Sequence, residues 1–218
     1  MSILDRAFKY NCPIEFTIRS CNFGWTKMKY KIQDTIFDCN ISYISMQPSI
    51  MIEALYIFSS YHNDSNGTLN VDINYDEIRI NDNASWCVET AASFSFDEEE
   101  SEQSWTIRRD PKDFMNDDFI LDIKIVKDGD ESKALYFNVT YRDMCYAVSK
   151  CFTSYLKEYG IYDYNGKTLG DDINIRQLLI IKGYALGILK NGMHEDGSLK
   201  EDYKLTFAEE MELLQMDM

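Results

Sequence analysis

Apolar and polar side chains alternate with a period of two along much of the first 141 residues, and this pattern constrains the fold most. In residues 27–32, a methionine, a tyrosine and an isoleucine alternate with three lysines. Because successive side chains on a strand point to opposite faces of a sheet, we expect a half-exposed strand here. A similar alternation over residues 14–18 and a third run over residues 36–44 predict three antiparallel strands.

The middle of the chain also predicts a sheet. Short alternating runs recur between residues 68 and 109, and two apolar-rich runs follow at residues 119–126 and 134–141. The last two runs are joined by Asp128-Gly129-Asp130, and an Asp-Gly pair tolerates the positive φ angles of a tight hairpin turn. We therefore expect a β-hairpin at residues 119–141.

Helical patterns occupy the remaining segments. Residues 50–58 follow Pro48 and have almost no polar side, which predicts a helix that is buried or docks a partner. Apolar residues spaced on one stripe predict a second helix over residues 142–159, with Gly160 ending it, and a third over residues 175–189. Within the third, Gly183 and Gly187 are expected to allow close packing by a neighbour.

The last predicted helix begins with Thr206-Phe-Ala-Glu209, which has the form of a capping box. Its apolar side is expected to contain Phe207, Met211 and Leu214. Two interpretations of that side stay open at this point: it packs on the body of the same chain, or it reaches another chain.

These elements together predict an α+β fold with helices packed on one face of antiparallel sheet. We expect a single domain over residues 1–218, with an alternative of two halves, 1–63 and 64–160, followed by a helical segment, 161–218. The alternative rests on a match between Asn40-Ile-Ser-Tyr43 and Asn138-Val-Thr-Tyr141, each of which closes a predicted hairpin before a helix. A duplicated β-hairpin–helix unit is one explanation of this match, and chance recurrence is the other.

Several classes of protein lack their sequence signals here. The first ten residues have no secretory h-region and no apolar run reaches the ~20 residues that span a bilayer, so we expect a cytoplasmic protein without a membrane partner. The six cysteines show no CxxC spacing and are expected to be reduced and buried. The two histidines, His62 and His194, lie in polar loops and no catalytic or metal motif occurs. We therefore expect no cofactor and no metal, and we favour a non-catalytic protein over an enzyme.

Charge is distributed unevenly along the chain. Lys and Arg number 22 against 37 Asp and Glu, a formal net charge of −15. Residues 34–105 contain Arg79 as their single basic residue against fourteen acids, whereas residues 1–33 carry a net positive charge. Direct binding of nucleic acid is not expected, since phosphate neutralisation needs clustered Lys and Arg.

The acidic segment culminates in a run that we take as the candidate partner-binding site, together with a nearby tryptophan as an aromatic anchor. The candidate residues are Asp97, Glu98, Glu99, Glu100, Glu102 and Trp105. A basic protein would be attracted to this site, and an immunity protein for a bacterial nuclease-type toxin is the interpretation we favour.

Four alternatives stay open from the sequence. The chain is a DNA mimic that inhibits a nucleic-acid-binding enzyme, it is a carboxylate-based enzyme that no motif reveals, its acids serve only solubility, or its aromatic residues are ordinary strand core.

Overall fold

The structure is a computed structural model, and within the part of the chain that it describes the fold is α+β, with two antiparallel sheets and four α-helices. It describes residues 10–20, 26–41, 49–59, 61–62, 71–81, 84–97, 101–114, 116, 118–159, 173–190, 205–216 and 218. The predicted fold class is confirmed. Gly160, His194 and Glu98–Glu100 lie outside the described residues.

The first sheet contains three strands in the order β1-β2-β3, as the alternation predicted. The strands are β1 at Ile14–Ser20, β2 at Thr26–Ile32 and β3 at Thr35–Ile41. Met28, Tyr30 and Ile32 are buried, while Lys27 and Lys29 are exposed on the opposite face. The hydrophobic effect thus fixes the register, because a shift by one residue would bury the lysines.

The second sheet contains five strands in sequential order, β4-β5-β6-β7-β8. They are β4 at Asp72–Asn81, β5 at Ala84–Asp97, β6 at Glu102–Arg109, β7 at Ile120–Lys127 and β8 at Leu135–Thr140. The predicted hairpin is confirmed as β7 and β8, and Asp128 and Gly129 both take positive φ angles, 54° and 67°. Their left-handed conformations match the turn that an Asp-Gly pair favours.

The four helices are α1 at Ile50–Tyr56, α2 at Tyr141–Tyr159, α3 at Ile175–Ala185 and α4 at Phe207–Gln215. Every residue of α1 is buried, as its lack of a polar side predicted. Helix α2 packs on β1, and α3 packs on both α1 and α2. None of the helices in the described ranges combines the length and apolarity needed to cross a bilayer.

Helix α3 ends earlier than the sequence predicted, at Ala185 instead of residue 189. Gly187 has a φ of 67° and lies beyond the helix, where its missing side chain permits the left-handed conformation that ends α3. Gly183 is inside the helix, and a Cβ there would lie 2.6 Å from Leu189 Cδ1. The expected close packing therefore occurs at Gly183, while Gly187 acts as a helix terminator.

The capping box of α4 is present, with the Glu209 amide donating to Thr206 Oγ1 and the Thr206 amide donating to Glu209 Oε2. The prediction of its apolar side is wrong, because the three residues named for that side do not face the core. Phe207, Met211 and Leu214 are exposed, by 78%, 40% and 40%.

Instead, α4 docks on α3 of the same chain through Leu213, which is fully buried, and through Met216. Apolar residues occur on more than one side of this nine-residue helix, so the pattern alone did not determine which side is buried. Contact with α3 determines it.

Both sheets contribute to one hydrophobic core, with α1 to α4 packed around it. Tyr30 of the first sheet contacts Trp105 of the second with ring centroids 5.1 Å apart, and Phe37 similarly contacts Phe137 at 6.0 Å. Aromatic pairs of this kind add to the burial energy of the interface between the sheets.

The structure gives the duplicated-unit hypothesis no support. Helix α2 begins directly after β8 and has 19 residues, whereas α1 has seven and is separated from the end of β3 by eight residues. Helix α1 packs mainly on α2, α3 and β5, while α2 packs mainly on α3 and β1 and also contacts β8 of its own hairpin. The two helices thus lie differently relative to the hairpins that precede them.

Candidate functional site

Two of the candidate acidic residues, Asp97 and Glu102, lie at the two ends of the connection between β5 and β6. Asp97 is the last residue of β5 and pairs in register with Glu102, the first residue of β6. Glu102 is exposed. Of the six predicted site residues, the structure therefore places Asp97 on one side of this connection and Glu102 on the other. Glu98–Glu100 fall outside the described residues.

A second acidic turn lies directly beside the first. The Asp128 amide donates to the Glu102 carbonyl at 2.8 Å, and the Glu102 amide donates to Asp128 Oδ1 at 3.0 Å. The cause is the pairing of β6 with β7, which brings the start of β6 next to the turn after β7. We call these two turns the acidic end, comprising residues 97–102 and 128–131.

Sequence reasoning missed the second turn as part of the site. Its signal was present, because the hairpin prediction already placed Asp128, Asp130 and Glu131 at a turn. The missing step was that consecutive antiparallel strands usually neighbour each other, so a turn after β7 lies beside a turn before β6.

Lysines neutralise part of the acidic end. Lys133 Nζ lies 2.8 Å from Asp130 Oδ2, and Lys124 Nζ lies 2.6 Å from Glu131 Oε2. Hydrogen bonds from Lys133 and Ser132 lower the pKa of Asp130 below its usual value. By contrast, no ion pair joins Glu102 or Asp128 to another described residue.

The acidic end keeps a net negative charge despite these pairs. Counted from the sequence, residues 97–102 and 128–131 hold eight acids, against Lys124, Lys127 and Lys133 nearby. Like charges this close repel each other and project a negative potential into solvent. The arrangement suits capture of a cationic surface.

Trp105 lies in the core and is 1% exposed. Its indole stacks on Phe94 with ring centroids 5.9 Å apart and contacts Phe96 at 6.3 Å. The alternation of β6 points its odd-numbered residues inward, which puts Trp105 on the face opposite to solvent. Its side chain is therefore not part of the accessible surface at the acidic end.

The outer face of the first sheet carries the opposite charge. Arg19 pairs in register with Lys27, and Lys29 lies in the next row of the same face, 3.8 Å from Asp38 Oδ1. The same face also contains Lys31, opposite Glu15, so four cations against the carboxylates of Glu15 and Asp38 leave it with a net positive charge. The molecule therefore has basic and acidic surfaces on different sheets.

A separate cluster of ionisable groups surrounds Arg109. Its Nε donates to the Glu89 carbonyl at 2.8 Å, its Nη1 donates to the Phe58 carbonyl at 3.1 Å, and its Nη2 lies 3.5 Å from Glu89 Oε2. The guanidinium also lies 5.4 Å from the ring centroids of both Phe58 and Phe119. Burial lowers the pKa of Arg109, while the Glu89 carboxylate opposes that shift.

The Arg109 cluster is better suited to structure than to catalysis. Glu89 Oε1 also lies 3.8 Å from His62 Nε2, an arrangement that would orient a catalytic imidazole. However, the side chains of His62 and Arg109 are only 3% and 4% exposed, so a substrate has little access to them. The cluster ties the segment after α1 to strands β5 and β6.

Two surface cavities offer no paired carboxylates. One of about 590 Å³ lies at the β4–β5 pairing and includes Asp76, while one of about 510 Å³ lies between α3 and α4 and includes Glu210. Each has a single carboxylate in its lining. Among the described residues, no group of three or more His, Cys, Asp or Glu side chains is arranged to hold a metal ion.

The cysteines differ sharply in accessibility. Cys87 is exposed, whereas burial raises the pKa of Cys12 to about 11 and that of Cys151 to about 12. Burial also raises the pKa of Cys145. Cys12, Cys87, Cys145 and Cys151 are free thiols, and the exposure of Cys87 corrects the expectation that the cysteines are buried.

We expect Cys87 to react first with a water-soluble disulfide reagent, because its side chain is exposed while those of Cys145 and Cys151 are buried. Labelling the native protein and a Cys87→Ser variant, with mass spectrometry of the products, measures this. The variant should lose one rapidly labelled site, and unfolding in denaturant should make Cys12, Cys145 and Cys151 reactive. Equal rapid labelling of both native proteins at the same number of sites would contradict the expectation.

No protein-family model, curated protein or solved structure matches the chain. Its function is therefore argued from its own residues.

Proposed function

We propose that the chain is a non-catalytic acidic protein that binds and neutralises a basic protein partner through the acidic end. In the form we favour, it is an immunity protein for a bacterial nuclease-type toxin. The observation that carries the proposal is the hydrogen-bonded contact between the two acidic turns at Glu102 and Asp128. This contact brings acids from two separate turns of the sequence together at one end of the second sheet.

Electrostatic attraction is the physical basis of the proposal. A nuclease carries a basic surface to hold phosphate, and an opposing acidic surface accelerates encounter with it, toward ~10⁸ M⁻¹s⁻¹ in favourable cases. The attraction acts over a Debye length of about 8 Å at physiological salt. Since Trp105 is buried, the accessible charges supply the recognition that this site offers, and their effect is expected mainly on the association rate.

The alternatives receive less support. A DNA mimic needs acids arranged along a surface like phosphates along a strand, whereas the acids of the acidic end are grouped on two adjoining turns. A carboxylate-based enzyme needs accessible paired acids, and neither of the two surface cavities supplies a pair.

Removing charge at the acidic end should slow association with the partner. The test uses the basic protein encoded beside this gene as the partner and a Glu102→Gln/Asp128→Asn variant. Asn tolerates the positive φ of residue 128 and retains an oxygen for the Glu102 amide, so the variant should fold. Stopped-flow or surface-binding kinetics should give an association rate several-fold lower at low salt, with the difference disappearing near 1 M salt, where the Debye length is about 3 Å.

The matched control is Glu15→Gln/Asp34→Asn, which removes the same charge from exposed positions of the first sheet. It should bind nearly as fast as the unchanged protein. Equal slowing by both variants, or binding that is indifferent to salt, would count against the acidic end. A neighbouring gene that encodes no basic protein, or a partner whose nuclease activity continues in the complex, would remove the immunity interpretation.

A further inference from the structure

Strand β4 lies at an edge of the second sheet and extends beyond most of it. Strand β6 pairs with residues 91–97 of β5, whereas residues 84–89 of β5 pair in register with β4. Residues 75–79 and 85–89 therefore form a regular two-stranded ribbon, which we call the β4–β5 arm, and a register shift follows it between Arg79 and Asn81. Among the described residues, no strand pairs with the outer edge of β4.

Most of the side chains that the structure describes in the β4–β5 arm are exposed. Asp76, Glu77 and Arg79 are exposed on β4, and Ser85 and Cys87 are exposed on β5. A two-stranded hairpin alone is marginally stable in water, and an edge strand presents unpaired amide and carbonyl groups. Both conditions favour addition of another strand.

We propose that a second copy of this chain pairs antiparallel with β4 around a twofold axis at Ile78. A twofold axis perpendicular to a sheet leaves each side chain on the same face of the sheet. Residues that lie opposite each other on antiparallel strands share a face, so the two residue numbers of each opposing pair must have an even sum. With the axis at Ile78, residue 77 lies opposite residue 79 of the second copy. The two five-stranded sheets then become one sheet of ten strands.

The charges of β4 favour this register over its neighbours. Glu77 of each copy faces Arg79 of the other, which gives two opposite-charge pairs beside the axis. A shift of the axis to residue 77 would place glutamate against glutamate, and a shift to residue 79 would place arginine against arginine. Opposite charges across strands stabilise pairing and like charges oppose it, so β4 is self-complementary at one axis position.

The arrangement also separates the two negatively charged bodies. Antiparallel pairing of residues 77–79 with themselves joins the molecules through their arms, and the remaining strands of each copy lie at opposite ends of the joint. Ile78, which is half-buried in one copy, meets Ile78 of the other at the axis. Apolar contact at the centre and charge pairs beside it are consistent with a specific interface.

Charge reversal tests the proposal by sedimentation over a range of protein concentrations. We expect the unchanged protein to dimerise, and Glu77→Arg or Arg79→Glu alone to raise the dimer dissociation constant by about tenfold or more. The double variant Glu77→Arg/Arg79→Glu restores opposite charges and should restore dimerisation. A Lys27→Glu variant, which changes an exposed charge on the first sheet by the same amount, should dimerise as the unchanged protein does.

Cysteine crosslinking tests the register independently. In a Cys87→Ser background, Ile78→Cys should form a disulfide-linked dimer under mild oxidation, because a residue on the axis lies about 4.5–5.5 Å from its own copy. Glu77→Cys should crosslink far less, since the two copies of residue 77 are diagonal neighbours about 7–8 Å apart.

A protein that stays monomeric at every concentration would overturn the proposal, including the case in which β4 instead binds a strand of a different protein. A dimer that resists both single reversals, or in which the double variant does not recover, would also overturn it. So would preferential crosslinking at residue 77.

Discussion

An Arg109→Ala variant is expected to unfold with a free energy about 3–5 kcal/mol below that of the unchanged protein. The substitution removes two charged hydrogen bonds to the carbonyls of Phe58 and Glu89 and leaves both acceptors without this donor. It also leaves the Glu89 carboxylate without its guanidinium partner and opens the space between two phenylalanine rings. Together these losses affect the segment after α1 and strands β5 to β7.

The neighbouring Arg108 provides the matched control. It lies on the same strand but is exposed, so Arg108→Ala should change the free energy of unfolding by no more than about 0.5 kcal/mol. Chemical denaturation of the three proteins measures the contrast. An Arg109→Lys variant should also be clearly destabilised, because an ammonium group cannot reproduce the planar, two-sided contacts of the guanidinium. Similar losses for Arg108→Ala and Arg109→Ala would contradict the structural role of Arg109.

The burial of Arg109 was within reach of sequence analysis. The alternation that places Trp105 and Ile107 inward continues to Arg109, two residues further along β6. The charge of Arg109 predicts an exposed side chain instead, because an isolated arginine is rarely buried. The partners that resolve the conflict, Glu89 and Phe58, are distant in sequence and meet Arg109 only in the folded chain.

Local signals predicted the strands and helices well, but they did not determine which elements touch. The β7–β8 hairpin followed from its two apolar runs and the Asp-Gly pair, whose positive φ angles the structure contains. Contact between the two acidic turns depends instead on β6–β7 pairing, and the orientation of α4 depends on its contact with α3. Local periodicity contains no direct information about either contact.

A buried lysine side chain joins α3 to the end of α4. The Lys182 side chain of α3 donates from Nζ to the Met216 carbonyl at 2.7 Å, and the residue is 1% exposed. Burial, with a smaller contribution from Lys157, lowers the pKa of Lys182 from 10.5 to about 8. The unfolded chain therefore binds more protons at this site than the folded chain between pH 8 and 10.5.

This difference makes the contribution of Lys182 to stability rise with pH across that window, by about 3 kcal/mol in total. Other buried groups act in the opposite direction. Burial raises the pKa values of Cys12, Cys145 and Tyr10, so the contribution of each group to the free energy of unfolding falls as the pH rises above the group's ordinary pKa. The pH dependence of the free energy of unfolding of the unchanged protein therefore combines opposing contributions. The difference between this protein and a variant without Lys182 isolates the contribution of Lys182.

The comparison uses Lys182→Met, which retains an unbranched apolar side chain but has no titrating group. The free energy of unfolding of the unchanged protein minus that of the variant should rise by about 3 kcal/mol from pH 8 to pH 10.5, since the thiols and tyrosines are common to both. Lys190→Met, at an exposed position after α3, is the matched control for the loss of one positive charge. A constant difference for Lys182→Met would mean that this lysine titrates normally in the folded chain, and that its burial against α4 does not favour the neutral amine.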